Sequence, residues 1–397
     1  MKPALYYPWV YLKGGGERML LELMTRSRHE WTLYTNRFER ESTYPELAGQ
    51  RVVELARISV RRSIKEVARA GITLLTQRLD LNNHDSLFVV SEGLGNLVAL
   101  RSRIPTYCIC LTPLKVAYDE VTRDRFFEAR GHGAQYRLAI SAYTQIDRLA
   151  WNRYLRVFCN SEEVRRRLLK ARLVDDGRLQ VAHHGVDIER FQPTGEREPY
   201  FLLPGRIVWT KNVELALRAW FEFKPSTTDN HFRLVIAGML DAKSRPYLNQ
   251  LRNLAGGRPD VEFVESPTDQ ELLRLYQACH AVIFTAPNED WGLVPLEGMA
   301  SGKPVLATDR GGPRESVVNN QTGFLVPDTA PAFAGAIHRL AGMPADDLDR
   351  IGAAARTRAC EFRWDAFVDL MDRQVELATV TLGSRGRLVA ASRSSSE

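Results

Sequence analysis

The sequence predicts two doubly wound α/β domains in series, and three observations lead there. The chain has 397 residues, enough for two domains that each bury a core. Short apolar runs alternate with helical patterns twice along it, which argues for parallel sheets covered on both faces. Between the two series, residues 187–199 carry Phe191-Gln-Pro-Thr-Gly195 and a cluster of charges, the composition of a linker.

In the first half, residues 4–7 read as a strand, Lys13-Gly-Gly-Gly-Glu17 as a turn and 18–25 as the start of a helix. Further strands are predicted at 31–34, 87–90, 106–111, 157–159 and 179–182, with helices such as 60–79 and 161–171 between them. Ser161 followed by Glu162 and Glu163 is a helix-start signal, because a hydroxyl satisfies an orphan amide there. In the second half, strands are predicted at 200–203, 233–237, 261–264, 281–285, 304–308 and 323–326, and 362–378 reads as one more helix. The expected organisation is an N-terminal domain over 1–190 and a C-terminal domain over 191–365, then a helix over 366–382 packing back toward the first domain. A Ser- and Arg-rich flexible tail over 383–397 completes it. The two domains are expected to face each other across a cleft, with ligands beyond the carboxyl ends of the strands.

Composition bounds the function without naming it. Hydrophobic residues at 44% and charged residues at 26% suit a soluble globular protein, and a net charge of +6 is mild for this length. The five cysteines are odd in number and sit mostly in apolar runs, so buried thiols in a reducing cytoplasm are expected. Cys108 and Cys110 are expected to point to opposite faces of a strand and so to make a poor metal pair. No stretch of eighteen apolar residues and no signal-peptide start is present, so the expected location is cytoplasmic.

Two motifs carry chemistry. The first is Glu289-Asp-Trp-Gly-Leu-Val-Pro-Leu-Glu297, just after a predicted strand. Pro295 suits the first position of a helix, and Gly292, Leu293 and Val294 then present backbone amides at its positive end, where an anion binds. Glu297 is placed in the first turn and Glu289 at the far end of the loop. One carboxylate can grip a sugar and the other a ribose, with a phosphate between them; alternatively, Glu297 only caps an ordinary helix. The second motif is Pro204-Gly-Arg-Ile-Val-Trp-Thr-Lys-Asn212, again at a strand end. Arg206 and Lys211, after Gly205, combine a forked guanidinium with a point-charge ammonium, a good clamp for a diphosphate; alternatively, they are a pair of solvated surface cations.

With these in place the chain resembles the retaining glycosyltransferases of family 4, which have the GT-B fold, two Rossmann-like domains. The resemblance rests on Gly14-Gly-Gly-Glu-Arg18, Asn160-Ser-Glu-Glu163, Gly185-Val-Asp187, Gly205-Arg206 with Lys211, the 289–297 string, Ala300-Ser-Gly-Lys-Pro304 and Gly311-Gly312. It implies that Glu289 contacts the donor sugar, Glu297 the ribose, and Arg206 with Lys211 the diphosphate. It places Trp291 and the Gly292–Val294 amides in the donor site, and sets the loop carrying Gly15 and Gly16 against the diphosphate. Cys110-Leu-Thr-Pro-Leu-Lys-Val-Ala-Tyr-Asp119 resembles a segment of a mannosyltransferase-like branch, which favours GDP-mannose among GDP- and UDP-linked donors. In that branch a His commonly stands at the place of Leu111.

On the acceptor side, Asp119 is either an acceptor-binding group or a helix-surface acid, and Glu92 either lines the acceptor pocket or caps the next helix. No metal ion and no other cofactor is expected. His183-His184 has no companion ligands, and Asp347-Leu-Asp349 lies in a helical segment. The basic run Arg57, Arg61, Arg62, Lys65 and Arg69 either meets a membrane or an anionic acceptor, or is a solvated helix face. No aromatic stacking set accompanies it, so nucleic acid is not an expected partner. The expected activity is transfer of a hexose from a nucleotide sugar to a sugar, lipid-linked or small-molecule hydroxyl. A catalytically silent nucleotide-sugar binder and a sugar-nucleotide epimerase are the alternatives.

Overall fold

The computed structural model describes residues 1–59, 63–130, 133–224, 231–241 and 243–378. The chain forms two units, Met1–His183 with the chain from Asp365 onward, and His184–Trp364. The first division lies at 183/184, where composition places it at 190/191. Residues 185–186 already belong to the second unit: the Val186 amide donates to the Phe362 carbonyl at 3.0 Å, and a Cβ on Gly185 would lie 2.1 Å from the Trp364 amide nitrogen.

The first unit is built on seven parallel strands: β1 (Ala4–Tyr6), β2 (Thr32–Thr35), β3 (Val52–Glu54), β4 (Leu87–Ser91), β5 (Thr106–Cys110), β6 (Val157–Cys159) and β7 (Leu179–Val181). Their order is β3-β2-β1-β4-β5-β6-β7. The central strands are buried end to end, as strands covered on both faces must be, which is why they read as continuous apolar runs. β3 was not foreseen. It is a half-exposed edge strand of three residues, too short and polar to stand out.

The first helix, Gly15–Arg26, begins at Gly15 and not at Arg18, so Gly15 and Gly16 form its first turn and are not a preceding loop. Ser161 caps the helix Glu162–Lys170 by accepting from the Val164 amide at 3.0 Å. In the helix Ile64–Thr76, Lys65 and Arg69 are present, while Arg61 and Arg62 lie outside the described residues. Helix 364–378 is tied to this unit through Asp372, which accepts from the Arg28 amide at 3.1 Å and from Ser27 Oγ. The tail 383–397 lies outside the described residues.

Cys108 and Cys110 share a face of β5, a correction to the sequence reading: residues two apart on a strand point the same way. Both join Cys159, paired opposite Cys110, in one apolar cluster. Burial pushes the Cys108 and Cys159 thiols up, as expected for inert core cysteines.

The second unit has six parallel strands: β8 (Tyr200–Pro204), β9 (Arg233–Gly238), β10 (Val261–Glu265), β11 (Ala281–Phe284), β12 (Val305–Thr308) and β13 (Gly323–Val326). Their order is β10-β9-β8-β11-β12-β13. Alternate residues of β8 feed the two cores, Phe201 to one and Leu202 to the other. The chain runs outward from β8 to β10, then returns to β11 and runs outward the other way. β8 and β11 therefore flank the switch point, where open α/β sheets bind ligands.

Candidate functional site

The two motifs converge at that switch point. Gly205 follows β8 with φ of +125°, a backbone geometry that a side chain resists. A Cβ on Gly238, at the end of β9, would lie 1.6 Å from the Gly205 carbonyl oxygen, so the two backbones touch. This turn sends Arg206 to the mouth of a hollow also lined by Lys211, Phe284 and Thr285. Asn212, at φ of +50°, redirects the chain into the helix Val213–Phe223. Thr285 Oγ1 donates to the Lys211 carbonyl at 2.8 Å and pins this turn to the end of β11. Lys211 Nζ reaches Glu289 Oε2 at 2.5 Å, joining groups 78 residues apart in sequence. Arg206 lies 3.8 Å from Asp241 Oδ2, a partner that no motif announced.

The helix end expected to bind an anion is present but shifted. The helix is Leu293–Ala300, with Gly292 as its N-cap at φ of +91°. Pro295 is therefore its third residue and not its first, and Leu293 and Val294 carry the leading amides. Glu297 falls in the second turn, so it caps nothing. Instead it accepts from the Tyr276 hydroxyl at 2.6 Å. Burial first, and the Glu297 charge second, hold the Tyr276 hydroxyl well above its usual range, so it stays a donor. Trp291, expected in the donor site, is anchored in the core. Its ring is 3% exposed and packs edge-on against Phe362, and its indole N–H donates to the His184 carbonyl at 3.0 Å.

Gly311 and Gly312 fix the motif loop from behind. A Cβ on either would lie 2.2 Å from the Glu289 oxygen or 2.1 Å from the Trp291 oxygen, and the Gly312 amide donates to the Glu289 carbonyl at 3.1 Å. Asp347 and Asp349 lie in the helix Ala345–Ala359 and pair with Arg350 and Arg197, each at 2.8 Å.

In the first unit, Gly16 and Glu92 both lie against the Tyr7 side chain at the equivalent switch point between β1 and β4. Tyr7 follows β1, and its hydroxyl donates to Glu92, which follows β4. A Cβ on Gly16 would lie 3.0 Å from that hydroxyl oxygen and 3.1 Å from Leu111 Cδ1. The residue at the family's His position thus packs against the glycine turn. Asn160 Nδ2 holds it from behind by donating to the Leu111 carbonyl at 3.1 Å. Glu17 is buried beneath the same turn. Burial first, then the charge of Glu92, push its carboxyl up to about 7. Glu92 does not cap the following 3-10 turn, Leu94–Arg101, whose N-cap is Gly93. Asp119, by contrast, accepts from the Thr122 amide at 2.7 Å and so caps the helix Glu120–Arg130. Its expected place on the acceptor side stands beside this local role.

Comparison with known proteins gives the family and the fold. The family model described as Glycosyltransferase Family 4 matches residues 13–190, and that described as Glycosyl transferases group 1 matches residues 186–358. A D-inositol 3-phosphate glycosyltransferase of Streptomyces bingchenggensis is 32% identical over 228 residues, covering 53% of this chain and 50% of that protein. The alpha-1,3/1,6-mannosyltransferase ALG2 of Mus musculus is 31% identical over 198 residues, covering 47% of each. The chain thus spans about half the length of the curated relatives it matches. Among solved structures, sucrose-phosphate synthase from Thermosynechococcus elongatus superposes with a TM-score of 0.73 at 18% identity, over 96% of this chain and 100% of that one. Anabaena HepE in complex with UDP gives 0.71 at 18% identity, over 97% and 100%. At such identities the likeness is one of fold, GT-B.

Proposed function

The chain belongs to glycosyltransferase family 4, and from that premise we propose that it moves a hexose from a GDP- or UDP-linked sugar to a hydroxyl acceptor with retention at the anomeric carbon. The observation that carries this is the meeting of Lys211 and Glu289 at the β8–β11 switch point, beside Arg206 and the leading amides of Leu293 and Val294. Positive groups and a carboxylate in one place suit a diphosphate joined to a sugar. Anabaena HepE is described in complex with the nucleotide UDP and with the nucleotide sugar UDP-glucose, ligands of this class.

In the proposed reaction the bond between the anomeric carbon and the diphosphate oxygen breaks, and the acceptor oxygen bonds to that carbon on the same face. The acceptor proton passes to the leaving phosphate. Charge builds on the diphosphate as the bond breaks, and Arg206, Lys211 and the helix amides lower the barrier by stabilising it. Glu289 orients the sugar and Glu297 the ribose. Gly205 and Gly292 shape the donor site as backbone, and Gly15 and Gly16 form its counterpart in the first unit, where Glu92 contributes to the acceptor site. Since these cations supply the charge, we propose that no metal is needed, and activity should survive a chelator.

Among the described residues no helix is long and apolar enough to cross a membrane. A peripheral membrane contact is part of the proposal, through the helix that carries Lys65 and Arg69 with exposed Val67 and Ile72. Flotation with anionic vesicles tests it.

The central test is thermal stability of wild type and Arg206→Ala with UDP, GDP, ADP and TDP. A ligand that binds only the folded state raises the melting temperature. The expected result is that one nucleotide stabilises wild type and not the variant. No shift for wild type at millimolar nucleotide would refute the donor site. Leu111 against the glycine turn favours one rival reading, a silent donor binder. Binding without any transferred product across an acceptor screen would establish that rival.

A further inference from the structure

Glu297 is the residue to which the proposed function gives the ribose, yet a carboxylate on a short helix has several rotamers and two equivalent oxygens. A ribose diol is recognised well only if the carboxylate is held in one orientation before the ligand arrives. What holds it here comes from a different helix, Asp269–Ala278. That helix is fixed at its start by a capping box, in which Thr268 and Glu271 satisfy each other's backbone amides. Near its end Tyr276 is wholly buried, with its ring edge-on to Phe191 at 5.4 Å.

The geometry at the other partner is equally constrained. The helix Leu293–Ala300 is pressed onto the sheet through Gly298, where a Cβ would lie 2.9 Å from Val282 Cγ2. It cannot roll without driving backbone into β11 and β12. Leu296 and Met299 are fully buried beside it, which leaves Glu297 as the half-buried residue of that turn. Two rigid supports therefore meet at one hydrogen bond, Tyr276 Oη to Glu297 Oε2 at 2.6 Å.

We propose that Tyr276 is a positioning residue for ribose recognition: its hydroxyl holds Oε2 of Glu297, so that the carboxylate is preset to accept from the ribose hydroxyls of the donor. The proposal rests on the assignment of Glu297 to the ribose. It predicts that Tyr276 contributes to discrimination between ribonucleotides and deoxyribonucleotides, and not to the diphosphate clamp. A tyrosine that merely filled space would be replaced by phenylalanine without any change in that discrimination. Removing the hydroxyl keeps the ring and its packing, but takes away its hold on Oε2.

The experiment measures dissociation constants for UDP and GDP, each against its 2′-deoxy and 3′-deoxy form, with wild type, Tyr276→Phe and Glu297→Gln. Melting temperatures without nucleotide are recorded alongside. For the nucleotide that binds, wild type is expected to prefer the ribonucleotide. Tyr276→Phe is expected to lose roughly tenfold in ribonucleotide affinity, the scale of one hydrogen bond to a charged group, with little change for the deoxy form that lacks the recognised hydroxyl. Glu297→Gln should collapse the same preference. If Glu297→Gln loses the preference while Tyr276→Phe keeps it in full, the positioning role is overturned and the ribose assignment stands. If Glu297→Gln keeps the preference, the ribose assignment falls and the positioning role falls with it. A lower melting temperature for Tyr276→Phe with unchanged discrimination also overturns the proposal, since only packing would then be involved.

Discussion

Glu17 should make the first unit less stable as pH rises through neutrality, and Glu17→Gln should remove that dependence. The carboxyl lies beneath the glycine turn, and Tyr7 and Glu92 face it. Burial, then the Glu92 charge, raise it from 4.5 to about 7, against smaller opposing hydrogen bonds from its own backbone and those of Tyr11 and Leu12. A carboxyl with a raised value in the folded state binds its proton more tightly there than when unfolded. The unfolded chain therefore holds fewer protons between pH 4.5 and about 7, and stability must fall as pH rises across that window. At 1.36 kcal/mol per decade the gap corresponds to about 3 kcal/mol, fully present below 4.5 and lost above 7. Glutamine has the same shape and no titration. In urea unfolding at a series of pH values, the wild-type advantage over Glu17→Gln should shrink by about 3 kcal/mol from pH 4.5 to pH 8. A difference between the two proteins that stays constant over that range would refute the reasoning.

Asp147 is buried and accepts from Asn96 at 3.0 Å and from Tyr118 and Trp151 at 2.8 Å each. Asp147→Ala strands those donors and should cost roughly 3 to 5 kcal/mol, seen as a lowered melting temperature. Gly312→Ala puts a methyl 2.1 Å from the Trp291 carbonyl, so the 289–291 loop must move. It should abolish the nucleotide-induced thermal shift while the first unit still unfolds cooperatively, and retention of the full shift would show that the loop is not held from this side.

All six strands of the second sheet were legible in the sequence to within one residue at each end, because strands buried on both faces are continuous apolar runs. Both donor motifs were legible for a related reason: each is a glycine turn at a strand end, where composition changes abruptly. What stayed hidden depends on contacts between distant segments. β3 is a three-residue edge strand without a distinctive run. Pro295 could occupy the first or the third helical position, since its missing N–H is tolerated at both, and only the Gly292 turn decides between them. The bond from the Thr122 amide to Asp119 depends on where one helix ends and the next begins, which composition does not mark. Tyr276 and Asp241 carry no signal at all in the sequence, because their partners lie 21 and 35 residues away on other elements.

The tryptophan in the 289–297 string shows how a residue inside a recognisable string can serve it through packing. Glu289 must be held at a fixed place at the end of β11, yet it lies in a loop, where backbone is free to move. Three contacts remove that freedom. Gly311 and Gly312 abut the carbonyls of Glu289 and Trp291, and the Trp291 ring is driven into the core against Phe362 with its N–H on His184. The Gly292 turn then sends the chain directly into the helix bearing Glu297. The string therefore works as a mechanical unit: a buried anchor two residues after its first carboxylate, and a tight turn that leads from the anchor to the helix bearing the second. Its glycines and tryptophan fix where its acids stand.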